Sequence, residues 1–183
     1  AKAELFARCD KAVINRDDPY YGRIRAKAQC PVLTTSVGGD GDLTAKDLEL
    51  LAEGIHFTAE QSGATVAVQL PIPGKFTVYH ALTVIGIARS LGISLSDCAD
   101  ALRDAKGVKG RVEVVPTPET PYSVLIDYAH TPDGLENVLS SVKDFCKGKL
   151  IAVFGCGGDR DPIKRPIMGE IGVKCADIAI ITS

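Results

Sequence analysis

The stretch SVLIDYAHTPDGLENVLSSVKDF, residues 123–145, decides the fold of the second half of the chain. Residues 123–128 are rich in β-forming residues and predict a short strand. Thr131 predicts the cap of a following helix, because Pro132 suits a first helical turn and Asp133 suits the positive end of the helix dipole. Apolar side chains then recur at helical spacing, at Leu135, Val138, Leu139, Val142 and Phe145. The stretch therefore predicts a strand followed by a helix that ends near residue 147.

Further elements extend this unit toward residue 182. Residues 150–154 (LIAVF) form a continuous apolar run, which predicts a strand buried on both faces. A second helix is predicted from Pro166 to about Lys174, and residues 177–182 (DIAIIT) predict another buried strand. The order strand, helix, strand, helix, strand indicates an α/β fold with a Rossmann-like parallel sheet and right-handed crossovers.

The first half of the chain has weaker patterns. Strands are predicted at residues 11–15, 31–36, 55–59 and 65–70, and helices at 20–28, 76–91 and 95–106. Residues 61–63 are expected to join the last two strands, and Ser94 to cap the last helix. Residues 43–53 fit a helix and a strand equally well. Residues 106–110 (KGVKG) predict a hinge, so we expect one domain over residues 1–110 and another over residues 111–183.

Composition limits the classes of protein. The chain has 183 residues, 45% hydrophobic and 24% charged, as expected of a globular protein. Its net charge of −2 argues against a nucleic-acid partner, and its apolar runs are too short to cross a bilayer. Residues 1–6 lack the order of a signal peptide, so a cytoplasmic location is expected. Six cysteines without a CxxC pair predict small buried side chains in a reducing compartment rather than a zinc site.

Three polar clusters are candidate sites. Residues 127–133 (DYAHTPD) follow a strand and open a helix, where a carboxylate can hold a ribose and the helix terminus attracts phosphate. Residues 155–166 (GCGGDRDPIKRP) follow a buried strand, and Arg160 can bind a carboxylate or a phosphate in a bidentate fork. Residues 15–19 (NRDDP) form a polar turn after a strand. Taken singly, these clusters also fit a helix cap, a solvated loop and a simple turn.

The order of these motifs resembles that of the Mur ligases. Residues 15–19 are followed by Gly-Lys-Phe at 74–76, Gly-Arg-Val-Glu at 110–113, DYAHTPD and GCGGDRDxxKRP. Within that family the pattern is similar to the branch that adds the third amino acid to UDP-N-acetylmuramoyl-L-alanyl-D-glutamate. The resemblance implies the end of a central ATPase domain followed by the first part of a Rossmann-like carboxy-terminal domain. It also implies a cytoplasmic enzyme that is monomeric at full length.

The resemblance implies a reaction and its cofactors. ATP would phosphorylate the D-glutamate carboxylate of the UDP-muramoyl dipeptide, with Mg²⁺ neutralising the phosphoryl oxygens. A diamino acid would then attack the acyl phosphate and form an amide bond. Whether this amino acid is meso-diaminopimelate or L-lysine is left open.

The resemblance also implies roles for individual residues. Asn15 and Arg111 would contact the adenine, Asp127 the ribose, and His130 the phosphate side of the nucleotide. Arg160 would bind the carboxylate of the incoming amino acid, with Asp159 and Lys164 shaping the same loop. His80 stands where the family has an asparagine near the adenine, and Thr77 replaces another asparagine, so base contact and simple packing are both open for His80.

Several family elements are missing from the sequence. It contains no phosphate-binding Gly-rich Lys-Ser/Thr loop and no candidate for the family's carbamylated lysine, both of which are expected upstream. The uridine-binding domain is missing too, and the Asp-Asn-Pro motif is expected after Ser183. We therefore expect the isolated chain to have no ligase activity.

Three alternatives stay open at this point. One is another member of the superfamily, such as the ligase that adds D-glutamate or a folylpolyglutamate synthetase. Another is a nucleotide-binding or oxidoreductase Rossmann domain, against which the missing GxGxxG turn argues. The third is a folded remnant without catalytic function.

Overall fold

The computed structural model describes residues 2–157 and 161–182, without the side chain of Lys2. The chain divides into two compact units. The first unit contains residues 1–49, 54–71 and 75–106, and the second contains residues 50–53, 72–74 and 107–183.

The first unit consists of a sheet and its helices. The strands are β1 (Ala12–Asn15), β2 (Val32–Val37), β3 (Leu43–Leu50, its last residue in the second unit), β4 (Ile55–Gln61) and β5 (Ala64–Leu70). The helices are a 3-10 helix (Lys2–Ala7), α1 (Tyr21–Arg25), α2 (Lys75–Ser90) and α3 (Leu95–Arg103). The strand order follows the chain, β1-β2-β3-β4-β5. β1, β2 and β3 run parallel, whereas β4 and β5 form an antiparallel hairpin.

Helix α2 lies close against the first two strands because it carries a glycine at the contact. A Cβ atom at Gly86 would stand 2.8 Å from Cγ1 of Val13 and 3.1 Å from Cδ2 of Leu33. The surrounding core is tightly closed, with almost no exposed surface at Leu43, Ile55, Val78, Leu82 and Ile85. This helix–sheet contact holds α2 against β1 and β2, and the candidate cluster of residues 15–19 begins at the end of β1.

Most sequence predictions for the first unit are confirmed. The four predicted strands are present, and Ser62 and Gly63 form the hairpin turn with φ of 52° and 80°, as a type I′ turn requires. The Ser94 hydroxyl caps α3 by accepting the Asp97 N–H at 3.0 Å. Of residues 43–53, which fitted a helix and a strand equally well, residues 43–50 form strand β3 and residues 51–53 follow it outside any strand. Helix α1 is shorter than the predicted helix at 20–28.

The second unit has shorter sheets. Its elements are β6 (Glu113–Val115), β7 (Val124–Ile126), α4 (Pro132–Lys143), β8 (Ile151–Gly155), α5 (Lys164–Cys175) and β9 (Ile178–Thr182). β8 and β9 are parallel neighbours joined through α5, which confirms the predicted parallel α/β unit. The Thr131 hydroxyl caps α4 by accepting the Gly134 N–H at 3.2 Å, as predicted. α5 begins at Lys164, two residues before the predicted start.

Two predictions for the second unit are wrong. In the described residues β7 pairs with β6 in antiparallel fashion and is not hydrogen-bonded to β8. The strands are also not buried on both faces, because Val153 is 65% exposed and Ile180 is 49% exposed. The physical reason is that α4 and α5 cover the same face of the sheet. Leu135 and Leu139 from α4 and Met168 from α5 share one cluster with Ala152 of β8.

In the part of the chain that the structure describes, no helix combines the length and the apolar character that crossing a membrane requires.

Candidate functional site

The carboxylate of Asp127 organises the most specific motif of the second unit. One of its oxygens accepts the Val112 N–H at 2.9 Å, and the other accepts the Ala129 N–H at 2.8 Å. Both bonds are charge-assisted, so this carboxylate ties the start of β6 to the loop that follows β7. Each carboxylate oxygen has a second lone pair. Asp127 can therefore hold the backbone and still accept a hydrogen bond from a hydroxyl group of a ligand.

The turn that carries Arg111 is unusually constrained. Gly110 and Val112, on either side of it, have φ of 69° and 45°. A positive φ is rare for a β-branched residue, and such strain persists only where neighbouring contacts enforce it. Here the Asp127 carboxylate holds the Val112 N–H, and the Glu113 carboxylate accepts the Gly110 N–H at 2.7 Å. The exposed Arg111 side chain is therefore presented from a fixed backbone.

Tyr128 lies next to both Arg111 and His130. The guanidinium of Arg111 is 5.2 Å from the centre of the Tyr128 ring, within the range of a cation–π contact. The His130 ring meets the same tyrosine edge to face at 5.3 Å. The Nδ1 atom of His130 lies 3.2 Å from the Tyr128 carbonyl, which only accepts, so Nδ1 carries the proton. Nε2 is the ring nitrogen that remains to meet a ligand.

Lys164 connects the two candidate clusters of the second unit. Its ammonium group donates to the His130 carbonyl at 3.1 Å, so the first residue of α5 reaches the DYAHTPD loop. Asp161 closes the turn before this helix by accepting the Ile163 N–H at 3.1 Å. Asp159 and Arg160, the other two residues predicted to bind the amino acid, lie outside the described residues.

Asn15 and His80 belong to the first unit. The side-chain oxygen of Asn15 accepts the Asp17 N–H at 3.0 Å, and the carboxylate of Asp18 accepts the Tyr20 N–H at 2.7 Å. Two successive side-chain turns therefore shape residues 15–19. His80 is exposed on α2 and contacts the Phe76 ring edge to face at 5.7 Å. The roles predicted for Asn15 and His80 toward the adenine stay predictions.

A polar cavity of about 360 Å³ also opens on the first unit. Its lining includes Arg16, Asp40, Asp42 and the ion pair of Lys46 with Glu60, whose atoms are 2.6 Å apart. Neither Asn15 nor His80 lines it, and its charges are of mixed sign. The cavity is therefore not the predicted base site.

Several contacts of these sites were missed by reasoning from sequence. They are the bond of Asp127 to Val112, the bond of Glu113 to Gly110, the pairing of Tyr128 with Arg111, and the reach of Lys164 to His130. Gly110 next to Arg111 was a usable signal for a left-handed turn. The bond of Glu113 to Gly110 lies within this turn, whereas the other three contacts join residues distant in sequence and leave no local pattern.

A protein-bound metal ion needs several His, Cys, Asp or Glu side chains close together when the protein supplies most of its ligands. Among residues 2–157 and 161–182, no three or more His, Cys, Asp or Glu side chains converge so as to hold a metal ion. Mg²⁺ is usually held by only one or two carboxylates together with water and phosphate oxygens, so no residue of the described ranges is assigned to the Mg²⁺ that the Mur ligase resemblance implies.

Two family models match consecutive parts of the chain. Residues 1–88 match the Mur ligase middle domain, and residues 110–183 match the Mur ligase glutamate ligase domain. The chain belongs to the Mur ligase family.

Two curated relatives of the chain carry the same enzyme name. The chain is 44% identical over 184 residues to UDP-N-acetylmuramoyl-L-alanyl-D-glutamate--2,6-diaminopimelate ligase of Clostridium botulinum. The alignment covers all of this chain and 38% of that protein. The Clostridioides difficile enzyme of the same name is 43% identical over 188 residues, with the same coverage. The chain therefore spans 38% of the length of these two relatives.

Solved structures agree with this relationship. A structure of a UDP-N-acetylmuramoyl-L-alanyl-D-glutamate--2,6-diaminopimelate ligase aligns over the whole chain and 39% of its own, with a TM-score of 0.75 and 34% identity. MurF from Acinetobacter baumannii aligns over 100% of this chain and 41% of its own, with a TM-score of 0.80 and 22% identity, and shows the fold alone.

Proposed function

We propose that this chain forms part of an ATP-dependent amide ligase that adds 2,6-diaminopimelate to UDP-N-acetylmuramoyl-L-alanyl-D-glutamate. The observation that carries the proposal is the clamp of Asp127, which holds the Arg111 turn and the Tyr128–His130 loop together. The enzyme name shared by relatives 40–44% identical to the chain supports the choice of diaminopimelate over lysine. We also propose a cytoplasmic enzyme that is monomeric at full length. The domain assignment to residues 1–110 and 111–183 stays part of this proposal.

In the second unit, the proposed role of Arg111 and Asp127 is to bind the nucleoside of ATP. The guanidinium already lies over an aromatic ring, and a planar cation of this kind also stacks on a purine base. The Asp127 oxygens keep lone pairs for the ribose hydroxyls. His130 would face the phosphates with Nε2, because Nδ1 is held by the Tyr128 carbonyl.

In the first unit, Asn15 is proposed to hydrogen-bond the base and His80 to pack against it. The Asn15 oxygen already accepts the Asp17 N–H, which fixes the direction of the amide. Its NH₂ group can donate to a ring nitrogen of the adenine, and its oxygen has a second lone pair for the adenine amino group.

The proposed reaction proceeds through an acyl phosphate. The terminal phosphoryl group of ATP is transferred to the D-glutamate carboxylate, and the amine of the diamino acid displaces phosphate to form the amide. Arg160, with Asp159 and Lys164 close to it in sequence, is proposed to bind the carboxylate of the diamino acid. Positioning supplies most of the rate enhancement in such a transfer, because the groups that react must be held in contact. Mg²⁺, when bound, would neutralise phosphoryl charge, but no residue of this chain is assigned to it.

The proposal can be tested by replacement in a full-length relative. Residues 1–183 would replace the matching segment of the Clostridium botulinum ligase, and phosphate release would be measured with ATP, the UDP-muramoyl dipeptide and either diamino acid. We expect activity that requires all three substrates. Arg111→Ala should raise the apparent KM for ATP about tenfold, the loss expected from one charge-assisted contact. Lys109→Ala, a neighbouring exposed cation, is the matched control.

The same replacement separates the two substrate sites. Arg160→Ala should raise the apparent KM for diaminopimelate while leaving that for ATP unchanged. An unchanged KM for ATP in Arg111→Ala would contradict the nucleotide site, and an unchanged KM for diaminopimelate in Arg160→Ala would contradict the carboxylate site. An inactive replacement that folds as judged by circular dichroism would contradict the ligase assignment itself.

A further inference from the structure

The side chain of Asp17 joins the loop after β1 to the end of β2. One carboxylate oxygen accepts the Ser36 hydroxyl at 2.7 Å, and the other accepts the Val37 N–H, also at 2.7 Å. Ser36 is completely buried, and its oxygen also accepts the Gly39 N–H at 3.1 Å. Asp17 itself is exposed, so only its well-placed partners hold the carboxylate in one position.

A third partner of Asp17 comes from helix α2. Burial raises the pKa of the Tyr79 hydroxyl above its ordinary value, and the negative charge of Asp17 and a hydrogen bond to it raise it further. The hydroxyl is therefore neutral at neutral pH and can donate to the carboxylate. Tyr79 directly precedes His80, so the helix that carries one predicted base contact is tied to the loop that carries the other.

The backbone of Asp17 acts on Asn15. Its N–H donates to the Asn15 side-chain oxygen at 3.0 Å, and the intervening Arg16 N–H donates to the Thr35 carbonyl at 2.8 Å. The direction of the Asn15 amide therefore depends on where the backbone of Asp17 lies. That position is set by three side-chain contacts from two other elements.

We propose that Asp17 is a positioning residue that holds the Asn15 amide in the orientation needed to bind the adenine base. The inference rests on the proposed function, because it takes Asn15 as a base contact. Asp17 itself is not proposed to touch the nucleotide. It acts through Asn15, with Ser36 and Tyr79 as its anchors.

The test combines a ligand-free measurement with a binding measurement. The first is the NMR signal of the Asn15 side-chain NH₂ in the 183-residue chain without nucleotide. The second is the affinity of the same chain for ADP, measured by calorimetry. Asp17→Ala should move the Asn15 NH₂ signals to the positions of a disordered asparagine and weaken ADP binding about tenfold, as expected when one oriented hydrogen bond to the ligand is lost.

Graded variants keep the test sharp if Asp17→Ala disturbs folding. Tyr79→Phe removes one anchor and keeps the ring, so it should shift the Asn15 signals less and weaken ADP binding only about twofold to threefold. Asp104→Asn, a change at an exposed carboxylate of the same unit, is the matched control and should alter neither measurement. Thermal unfolding of each variant identifies any loss of the fold.

A double-mutant cycle decides whether Asp17 acts through Asn15. If it does, Asp17→Ala adds almost no further loss of ADP affinity to a chain that already carries Asn15→Ala. Additive losses would overturn the positioning role, and so would unchanged Asn15 signals in Asp17→Ala. Failure of the unmodified chain to bind ADP would instead count against the proposed function, while the ligand-free signals still report the orientation of Asn15.

Discussion

The two units of this chain use similar helix–sheet contacts but bury them to different degrees. In the first unit, α2 closes a five-stranded sheet, and core residues such as Leu82 and Ile85 have no exposed surface. In the second, α4 and α5 cover one face of the β8–β9 pair, and the other face leaves Ile151 and Val153 more than half exposed.

The two units also show that a specific sequence motif does not require a well-buried core around it. The longest family motifs, DYAHTPD and GCGGDRDxxKRP, belong to the unit with the less complete core. The geometry of DYAHTPD is held by hydrogen bonds such as those of the Asp127 carboxylate rather than by burial. The short NRDDP motif, by contrast, extends from β1, in which Ala12 and Ile14 are buried. A motif is therefore easy to recognise in a sequence when it is long and its residue types are unusual, and burial of the surrounding core does not decide this.

The largest expected effect compares buried leucines of the two units. Leu82→Ala in α2 should cost about 2–5 kcal/mol, because it leaves a cavity in a closed core. Leu139→Ala in α4 should cost less, because its hydrophobic cluster is smaller. Exposed residues lie next to this cluster, so the surrounding side chains can move to fill the cavity. Urea unfolding combined with segment-resolved hydrogen exchange measures both losses. A greater loss for Leu139→Ala would reverse the comparison.

Close-packed glycines give the next effect. Gly86→Ala should cost about 1–3 kcal/mol, because the new methyl group meets the stiff side chain of Val13. Gly172→Ala in α5 should cost less, although its Cβ would stand 2.5 Å from the Phe154 ring, because that half-buried ring can turn away. Gly169→Ala, whose nearest neighbour is 3.8 Å away, should gain up to about 1 kcal/mol from helix propensity. Thermal denaturation of the three variants measures the order.

The hydrogen bonds between Asp42 and Thr34 in the first unit should make stability depend on pH. Asp42 accepts the Thr34 N–H and hydroxyl at 2.8 and 2.7 Å, and these bonds, with the charge of Arg16, lower the pKa of its carboxyl. A lowered pKa stabilises the fold above the ordinary value of 3.8, and this contribution is lost as the pH falls through the lowered pKa. Asp42→Asn should therefore be less stable than the unmodified chain at neutral pH, with the difference shrinking in acid.

The control for this pH experiment is Asp40→Asn, a change to a nearby carboxylate that is almost fully exposed. Its unfolding curve should follow that of the unmodified chain from neutral to acidic pH. If the stability difference between Asp42→Asn and the unmodified chain did not change with pH, the charge of the carboxylate would not contribute to its hydrogen bonds with Thr34.

The smallest effect tests the exposed face of the second unit. Val153→Thr keeps the shape of the side chain and adds a hydroxyl to an exposed position, so stability should change by no more than about 0.5 kcal/mol. Ala152→Ser adds a hydroxyl to the adjacent buried position and should cost about 1–3 kcal/mol. Equal losses in denaturant unfolding would contradict the one-sided packing of β8.

Much of the fold could be predicted from sequence because its signals are local. The caps by Ser94 and Thr131 and the Ser62–Gly63 turn depend on residues within a few positions of one another. Residues 43–53 could not be assigned, because the buried run at Leu43 to Ala45 reflects contacts on both sides of β3 and breaks the alternation of a half-buried strand. Burial of β8 was overestimated, since an apolar run does not reveal which face a helix will cover.

The candidate sites, like the fold, could be predicted from sequence only in part. The sequence alone determined which side chains carry recognisable chemistry, the order of the motifs, and hence the relationship to the Mur ligases, because side-chain identity and spacing are written directly in the chain. Only the tertiary structure decided that Asp127 holds Val112, that Lys164 reaches His130, and that Asp17 is anchored by Ser36 and Tyr79. These partners are separated by 15 residues or more, so their contact depends on the path of the folded backbone and not on any local pattern.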